Sequence, residues 1–258
     1  MSKPHCGDLE AGAAADAAAG DAAKDPAAAA AAKPKKVAEE DPRLRWAFVR
    51  KVYAILALQF AATAGISFAA CLVPAVPRFF TSGHPAAAVW TVYIAILVAP
   101  LIVMFPMLKY RERHPVNLVL LGLFTVCCSL SIAVATSTTV GSVVLQASIL
   151  TAAAVVGLTL FTFWAVKRGY DFTFMYPFLF TSLLVLLVYL IIQIFFPLGK
   201  VGVTIYGCLA TVLFCGFIIY DTNLLLKRHT YNEYVIAAIS LYLDVINLFM
   251  AQLSLSAQ

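Results

Sequence analysis

Residues 217–250 read FIIYDTNLLLKRHTYNEYVIAAISLYLDVINLFM, two apolar runs joined by a short polar turn, with one aspartate in each run, Asp221 and Asp244. In the second run Ala237, Ser240, Asp244, Asn247, Ala251 and Ser254 recur at spacings of three and four, so they share one helical face. Ile239, Leu241, Leu243, Ile246 and Met250 cover the remainder. A small and polar stripe on an apolar helix belongs in a bundle interior, where small side chains permit close approach. The last helix is therefore expected at the centre of the fold, with Asp244 in the middle of its stripe.

The rest of the chain has the same apolar character. It is 62% hydrophobic with mean hydropathy +0.91, against roughly 45–50% apolar for soluble domains. Seven stretches, near 52–73, 86–108, 116–136, 142–166, 174–196, 202–224 and 234–255, reach the roughly 20 residues a helical span requires. They lack the alternating polarity of barrel strands. The expected fold is an all-α membrane protein, seven transmembrane helices in residues 43–258, six of them around a central C-terminal one.

Residues 1–42 are different: 16 are Ala, interleaved with Asp, Lys, Gly and Pro, and none is aromatic. Such a segment buries too little apolar surface to offset its ordering entropy, and is expected to be a disordered tail. It shows no cleavable signal pattern, so the first span is expected to serve as the insertion signal.

The tail is acidic and the remainder basic, but the basic residues do not form a nucleic-acid surface. Outside the tail, one set of loops carries Arg43, Arg45, Arg50, Lys51, Lys109, Arg111, Arg113, Lys167, Arg168, Lys227 and Arg228; the alternate set carries only Arg78 and Lys200. This 11-to-2 alternation is the positive-inside pattern and puts the N-terminus in the cytosol. The bilayer is the expected partner, and no nucleic acid is. Seven full spans put the C-terminus on the opposite side; a re-entrant seventh segment is the alternative.

Cys71, Cys127, Cys128, Cys208 and Cys215 fall in spans and Cys6 in the tail, so no disulfide framework is expected. No His lies in a span, which argues against an imidazole metal centre and leaves no cofactor implied. Trp46, Tyr53, Trp164, Tyr170, Tyr231 and Tyr234 lie at span ends and are expected to form an interfacial aromatic belt. Pro100 and Pro106 are expected to kink the second span or end it early.

Asp221 and Asp244 are the only charged side chains within the seven stretches. A carboxylate at the bilayer centre costs about 2.5–3.5 kcal/mol on insertion scales, and two unpaired ones on the order of 5–7. No intramembrane Lys or Arg offsets this. The cheaper arrangements share one proton between the acids or hold a cation between them. Such a pair is both a pH sensor and a weak, transient calcium site, with Asn247 and Ser240 as further pore or cation contacts. Two carboxylates fall far short of a tight oxygen cage, and weak binding suits passage of an ion better than storage.

IIYDTNLLLKRHTYNEYVIAAISLYLDVINLFM resembles the C-terminal signature of the Bax inhibitor and Lifeguard family. HPVNLVLLGLFTV, TAAAVVGLTLFTFWAVKRGYDF and IIQIFFPLGK resemble its plant Lifeguard-type members, from about residue 41 onward. The resemblance implies six helices around a seventh, a cytosolic N-terminus, pH-sensitive calcium leak across internal membranes, and suppression of stress-induced cell death. It implies that Asp221 and Asp244 form the pH-sensing latch. Bacterial relatives add a basic residue on the second helix, absent from this chain's second span. Some relatives carry a Glu on the third helix, where this chain has Cys127 and Cys128.

The expected function is a non-enzymatic calcium leak channel, with calcium as the permeant ion. Endoplasmic reticulum is its expected membrane; Golgi, vacuolar and plasma membranes are alternatives. The tail is a candidate contact for cell-death or calcium-signalling proteins. A non-conducting interaction protein is the second reading. An intramembrane aspartyl protease is a third, evoked by Tyr220-Asp221, but Asp244 lacks the Gly-x-Gly approach and the Pro-Ala-Leu element of that chemistry. A seven-helix receptor is disfavoured by the inside N-terminus and the short loops.

Overall fold

The structure, a computed structural model, describes residues 42–81, 86–110, 115–196 and 199–257. The tail expected over 1–42 lies outside them, apart from Pro42, which opens the first helix. The helices are α1 (Pro42–Leu72), α2 (Ala75–Thr81), α3 (Ala86–Lys109), α4 (Val116–Ser137), α5 (Gly141–Lys167), α6 (Tyr176–Phe195), α7 (Gly199–Lys227) and α8 (Tyr234–Ser256). Single 3-10 turns, Thr173–Met175 and Tyr231–Glu233, precede α6 and α8. No strand occurs among the described residues. All but α2 are long and apolar enough to cross a membrane, as expected of an integral membrane protein with seven spans.

The last helix is the central one. Of its most apolar stretch 56% is buried, against 39% for α4 and none for α3. It packs along α7, α5 and α4. Its Val235, Ala238 and Tyr242 share a core with Phe48, Val52 and Leu56 of α1. Ala251 closes a second core with Leu179 and Leu186 of α6. Burial is not confined to the expected stripe: Ile239 and Leu241 are buried as well, whereas Asn247 is exposed, because neighbours pack on more than one side of α8. α8 is also unbroken over its 23 residues, about 34 Å at 1.5 Å per residue, so it is long enough to span and lacks the break a re-entrant segment needs.

One expected boundary differs, and one expected early end does not occur. The first helix starts at Pro42, ten residues before the apolar run at 52. Its basic first turns depress hydropathy, yet they have partners: Arg45 donates from Nε to the Leu226 carbonyl at 2.9 Å and from Nη1 to the His229 carbonyl. Those carbonyls lie at and just past the last turn of α7, where a cation is favoured and acceptors lack intrahelical donors. The second span, in turn, continues through Pro100 and Pro106 to Lys109. Each proline removes one donor, but hydrocarbon offers the other backbone groups no partner outside the helix, so the helix persists.

The aromatic belt also needs correction. Trp46, Trp164, Tyr170 and Tyr231 are exposed, as interfacial anchors should be, whereas Tyr234 is 2% exposed and Tyr53 is packed against the core. Tyr234 accepts a hydrogen bond from Asn117 Nδ2 at 3.0 Å, and the Lys51 ammonium sits 3.5 Å from its ring centroid. It is a junction between α1, α4 and α8.

Candidate functional site

Asp221 ends a stretch of α7 that is six residues short of Lys227; Asp244 is ten residues into α8. Both positions count from the basic-loop end of the bundle, giving depths of about 9 and 15 Å at 1.5 Å per residue. The chain direction narrows that gap. Every Cα–Cβ bond in a helix leans toward the helix N-terminus. α7 begins at the far end, so Asp221 leans inward; α8 begins at the basic end, so Asp244 leans outward. The two carboxyls meet within hydrogen-bonding reach of one another, and the Ser240 hydroxyl also reaches Asp221. They are 9% and 7% exposed. One oxygen of the pair, Asp244 Oδ2, is buried without a hydrogen-bond partner.

The turn between them is braced from several sides. Thr230 and Glu233 form a capping box, with the Thr230 N–H donating to Glu233 Oε2 at 3.1 Å. His229 Nδ1 lies 3.5 Å from the same oxygen. Burial opposes ionisation of Glu233, but the Thr230 backbone, His229 and the Thr230 hydroxyl together hold its carboxyl below the usual range. Arg45 grips the turn from α1, as described above. The reciprocal capping box and a cation on the carbonyls fix how α8 leaves α7.

A cavity of about 330 Å³ lies between α6, α7 and α8. Asp244 and Asn247 line it, facing Leu186, Leu190, Tyr206 and Phe214. Tyr206 and Leu190 lie towards the end opposite the basic loops, so the cavity runs from the pair towards that face. Of the expected contact residues, Ser240 therefore joins the Asp221 side. Asn247 joins the cavity side, its Nδ2 donating to the Leu243 carbonyl at 2.8 Å. Among the described residues no group of three or more His, Cys, Asp or Glu gathers as a metal site.

Two polar clusters were not singled out by sequence. Gln59 Nε2 donates to Thr125 at 2.9 Å, and the Thr63 hydroxyl lies 2.9 Å from Ser129 and 2.8 Å from Tyr242. This joins α1, α4 and α8 at their buried centre. Its signal was present: Gln59 with Thr63, and Thr125 with Ser129, are four-residue polar repeats on apolar helices.

The second cluster joins the α5–α6 turn to α7. α5 ends with Gly169 at φ +93°, its N–H bonded to the Val166 carbonyl and the Tyr170 N–H to that of Ala165. This paired closure needs the left-handed conformation glycine adopts freely. It delivers Asp171 to α7, where Asp171 Oδ1 accepts from Asn223 Nδ2 at 2.8 Å, from the Thr173 hydroxyl at 2.6 Å and from the Thr173 N–H at 3.1 Å. Lys227 Nζ donates to the Tyr170 carbonyl at 2.6 Å. The Thr173 hydroxyl, opposed by slight burial and helped by Asn223, the Thr173 N–H and Lys227, holds the Asp171 carboxyl down at about 2.

The family profile described as inhibitor of apoptosis-promoting Bax1 matches residues 45–258. Protein LIFEGUARD 4 of Arabidopsis thaliana is 50% identical over 216 residues, covering 84% of this chain and 86% of that protein. Protein lifeguard 4 of Mus musculus is 39% identical over 214 residues, 83% of this chain and 86% of that protein. The Golgi anti-apoptotic protein of vaccinia virus strain Lister is 37% identical over 223 residues, 85% and 88% of the two chains. With the matched region containing every span, the central α8 and both aspartates, the chain belongs to the Bax inhibitor and Lifeguard family.

Proposed function

We infer that the protein is a pH-sensitive calcium leak pathway of internal membranes that restrains stress-induced cell death. One observation carries this reading: Asp244 belongs both to the carboxyl pair and to the wall of the cavity, with Oδ2 left unpartnered. Protonation of the pair and passage of a cation are thereby referred to the same side chain. With one proton shared, a hydrogen bond joins α7 to α8. With both acids ionised, two charges about 4 Å apart repel by about 4 kcal/mol at an effective dielectric of about 20. That is the size of gap separating two states of a switching element. A divalent cation relieves the same repulsion, and Asp244 and Asn247, the carboxyl- and amide-bearing side chains that line the cavity, are its nearest oxygen donors there.

The 11-to-2 distribution of Lys and Arg supports a cytosolic N-terminus, with the pair nearer the cytosolic face and the cavity leading away from it. The vaccinia relative, named a Golgi anti-apoptotic protein, supports an internal membrane and a role against cell death; the endoplasmic reticulum is the membrane we assign. The test is calcium flux from liposomes holding the purified chain, measured across pH beside Asp221→Asn and Asp244→Asn. Flux that rises above empty liposomes and varies with pH supports the leak. Its absence from correctly folded protein would favour a non-conducting interaction protein.

A further inference from the structure

Helix α7 carries two polar faces. From Asp221 to Asn223 is a rotation of 200° at 100° per residue, and from Asn223 to Lys227 only 40° more. Asp221 thus points to α8, while Asn223 and Lys227 point together to the α5–α6 turn, where Asp171 and the Tyr170 carbonyl receive them. Asn223 is fully buried, with Oδ1 unpartnered, so its amide has one protein acceptor, Asp171. Asp171 itself is fixed by the glycine closure of α5 and by Thr173.

We propose that Asp171 is a positioning residue for the carboxyl pair: through Asn223 it sets the rotation of α7 and so holds Asp221 against Asp244. The inference rests on the pair acting as the pH-responsive element. The lever is short. Side chains of a helix end about 5–6 Å from its axis, so a 20° turn of α7 moves the Asp221 carboxyl about 2 Å, enough to carry a hydrogen bond out of range. A bond on the opposite face resists that rotation directly. The clamp also stays constant where the pair responds. With its carboxyl held at about 2, Asp171 is ionised throughout neutral pH, and Lys227 beside it provides the balancing charge. On the pair's own side the facing groups are Ser240, each other's carboxyl and His229. Asp171 therefore acts as a fixed reference and does not itself sense physiological pH.

The experiment compares the wild-type chain with Asp171→Ala, Asn223→Ala and the exchange Asp171→Asn/Asn223→Asp, which restores a donor opposite an acceptor in reversed order. Two readouts are taken: the pH dependence of calcium flux, and the titration of the pair by infrared carboxyl absorption, assigned as the signal lost in Asp244→Asn. Two carboxyls that share a proton titrate in two macroscopic steps. Each alanine variant should merge these steps and shift the flux profile, and the exchange should return both towards wild type. Unchanged titration in both folded alanine variants overturns the proposal and reduces Asp171 to a turn cap. If Asp171→Ala does not fold, Asn223→Ser, which shortens the reach while keeping a polar group, is read the same way. A wild-type protein that conducts no calcium would count against the leak reading, while the infrared titration still decides this one.

Discussion

The hydroxyls of Thr63 and Tyr242 meet at 2.8 Å, joining α1 to α8 at a fully buried ring, that of Tyr242. Thr63 also donates to the Gln59 carbonyl of its own helix or shares with Ser129, so it keeps partners if Tyr242 loses its oxygen. Tyr242→Phe should then cost about 0.5–1.5 kcal/mol, with no buried donor stranded on α1. Denaturant unfolding in detergent micelles measures it. A variant as stable as wild type would show that the network adds nothing beyond packing.

Asp221→Asn and Asp244→Asn preserve shape while removing ionisation. Each should flatten the pH dependence of calcium flux, and the double variant should add less than the sum of the two, because residues acting as one unit are not additive. Wild-type pH dependence in both folded single variants would make the acids purely structural.

Asp171 has a stability signature of its own. Its carboxyl titrates at about 2 in the fold against 3.8 as a free group. A lowered folded value means stability that is present above the free value and lost as pH falls through the folded one. Asp171→Asn should therefore unfold earlier than wild type at pH 5 and above, and the difference should close between about pH 4 and pH 2. The group is largely exposed, so solvent screening keeps the effect small. A gap that persists unchanged at pH 2 contradicts this assignment.

Gly207 of α7 marks a close approach to α8. A Cβ there would lie 2.7 Å from Leu255 Cγ and 2.8 Å from its Cδ2. Gly207→Ala gains about 1 kcal/mol of helix propensity but forces overpacking worth about 1–3 kcal/mol. We expect a net loss, recovered when Leu255→Ala is added. If the single variant is more stable than wild type, Leu255 moves aside freely and the contact is not close-packed.

Orientation is checked by tags. Sites between 107 and 114 or between 227 and 231 should be reached from the cytosol, and sites near Arg78 or Lys200 should be protected. Cytosolic access at Lys200 contradicts the orientation drawn from the basic loops.

Much of this architecture is legible in sequence because hydrocarbon enforces simple rules. Apolar length locates the spans, and the period of Ala237, Ser240, Asp244 and Ala251 identifies the central helix. Hydropathy misplaced the start of α1 because Arg45, Arg50 and Lys51 read as loop although the helix runs through them. Tyr234 read as a belt residue because its position at a span end is the same whether its ring faces lipid or core; only its contacts with Asn117 and Lys51 tell them apart. The hairpin brings Asp221 and Asp244 to the same end of the bundle, and the opposed lean of the two side chains, which follows from chain direction, narrows the axial gap between them. The Asp171–Asn223 bond spans 52 positions, and no local period announces a pairing of that kind.

The capped turn between α7 and α8 has a consequence for how this chain can vary. Both acids are phased from it: one residue inserted between Arg228 and Asp244 within helical structure would swing Asp244 by about 100° and advance it 1.5 Å, turning its carboxyl out of the pair. The turns at the far end of the bundle set no such phase for the acids. Length changes should be accepted there and rejected between Asp221 and Asp244, so the spacing of 23 residues is itself a functional quantity, as much as the identity of the two side chains.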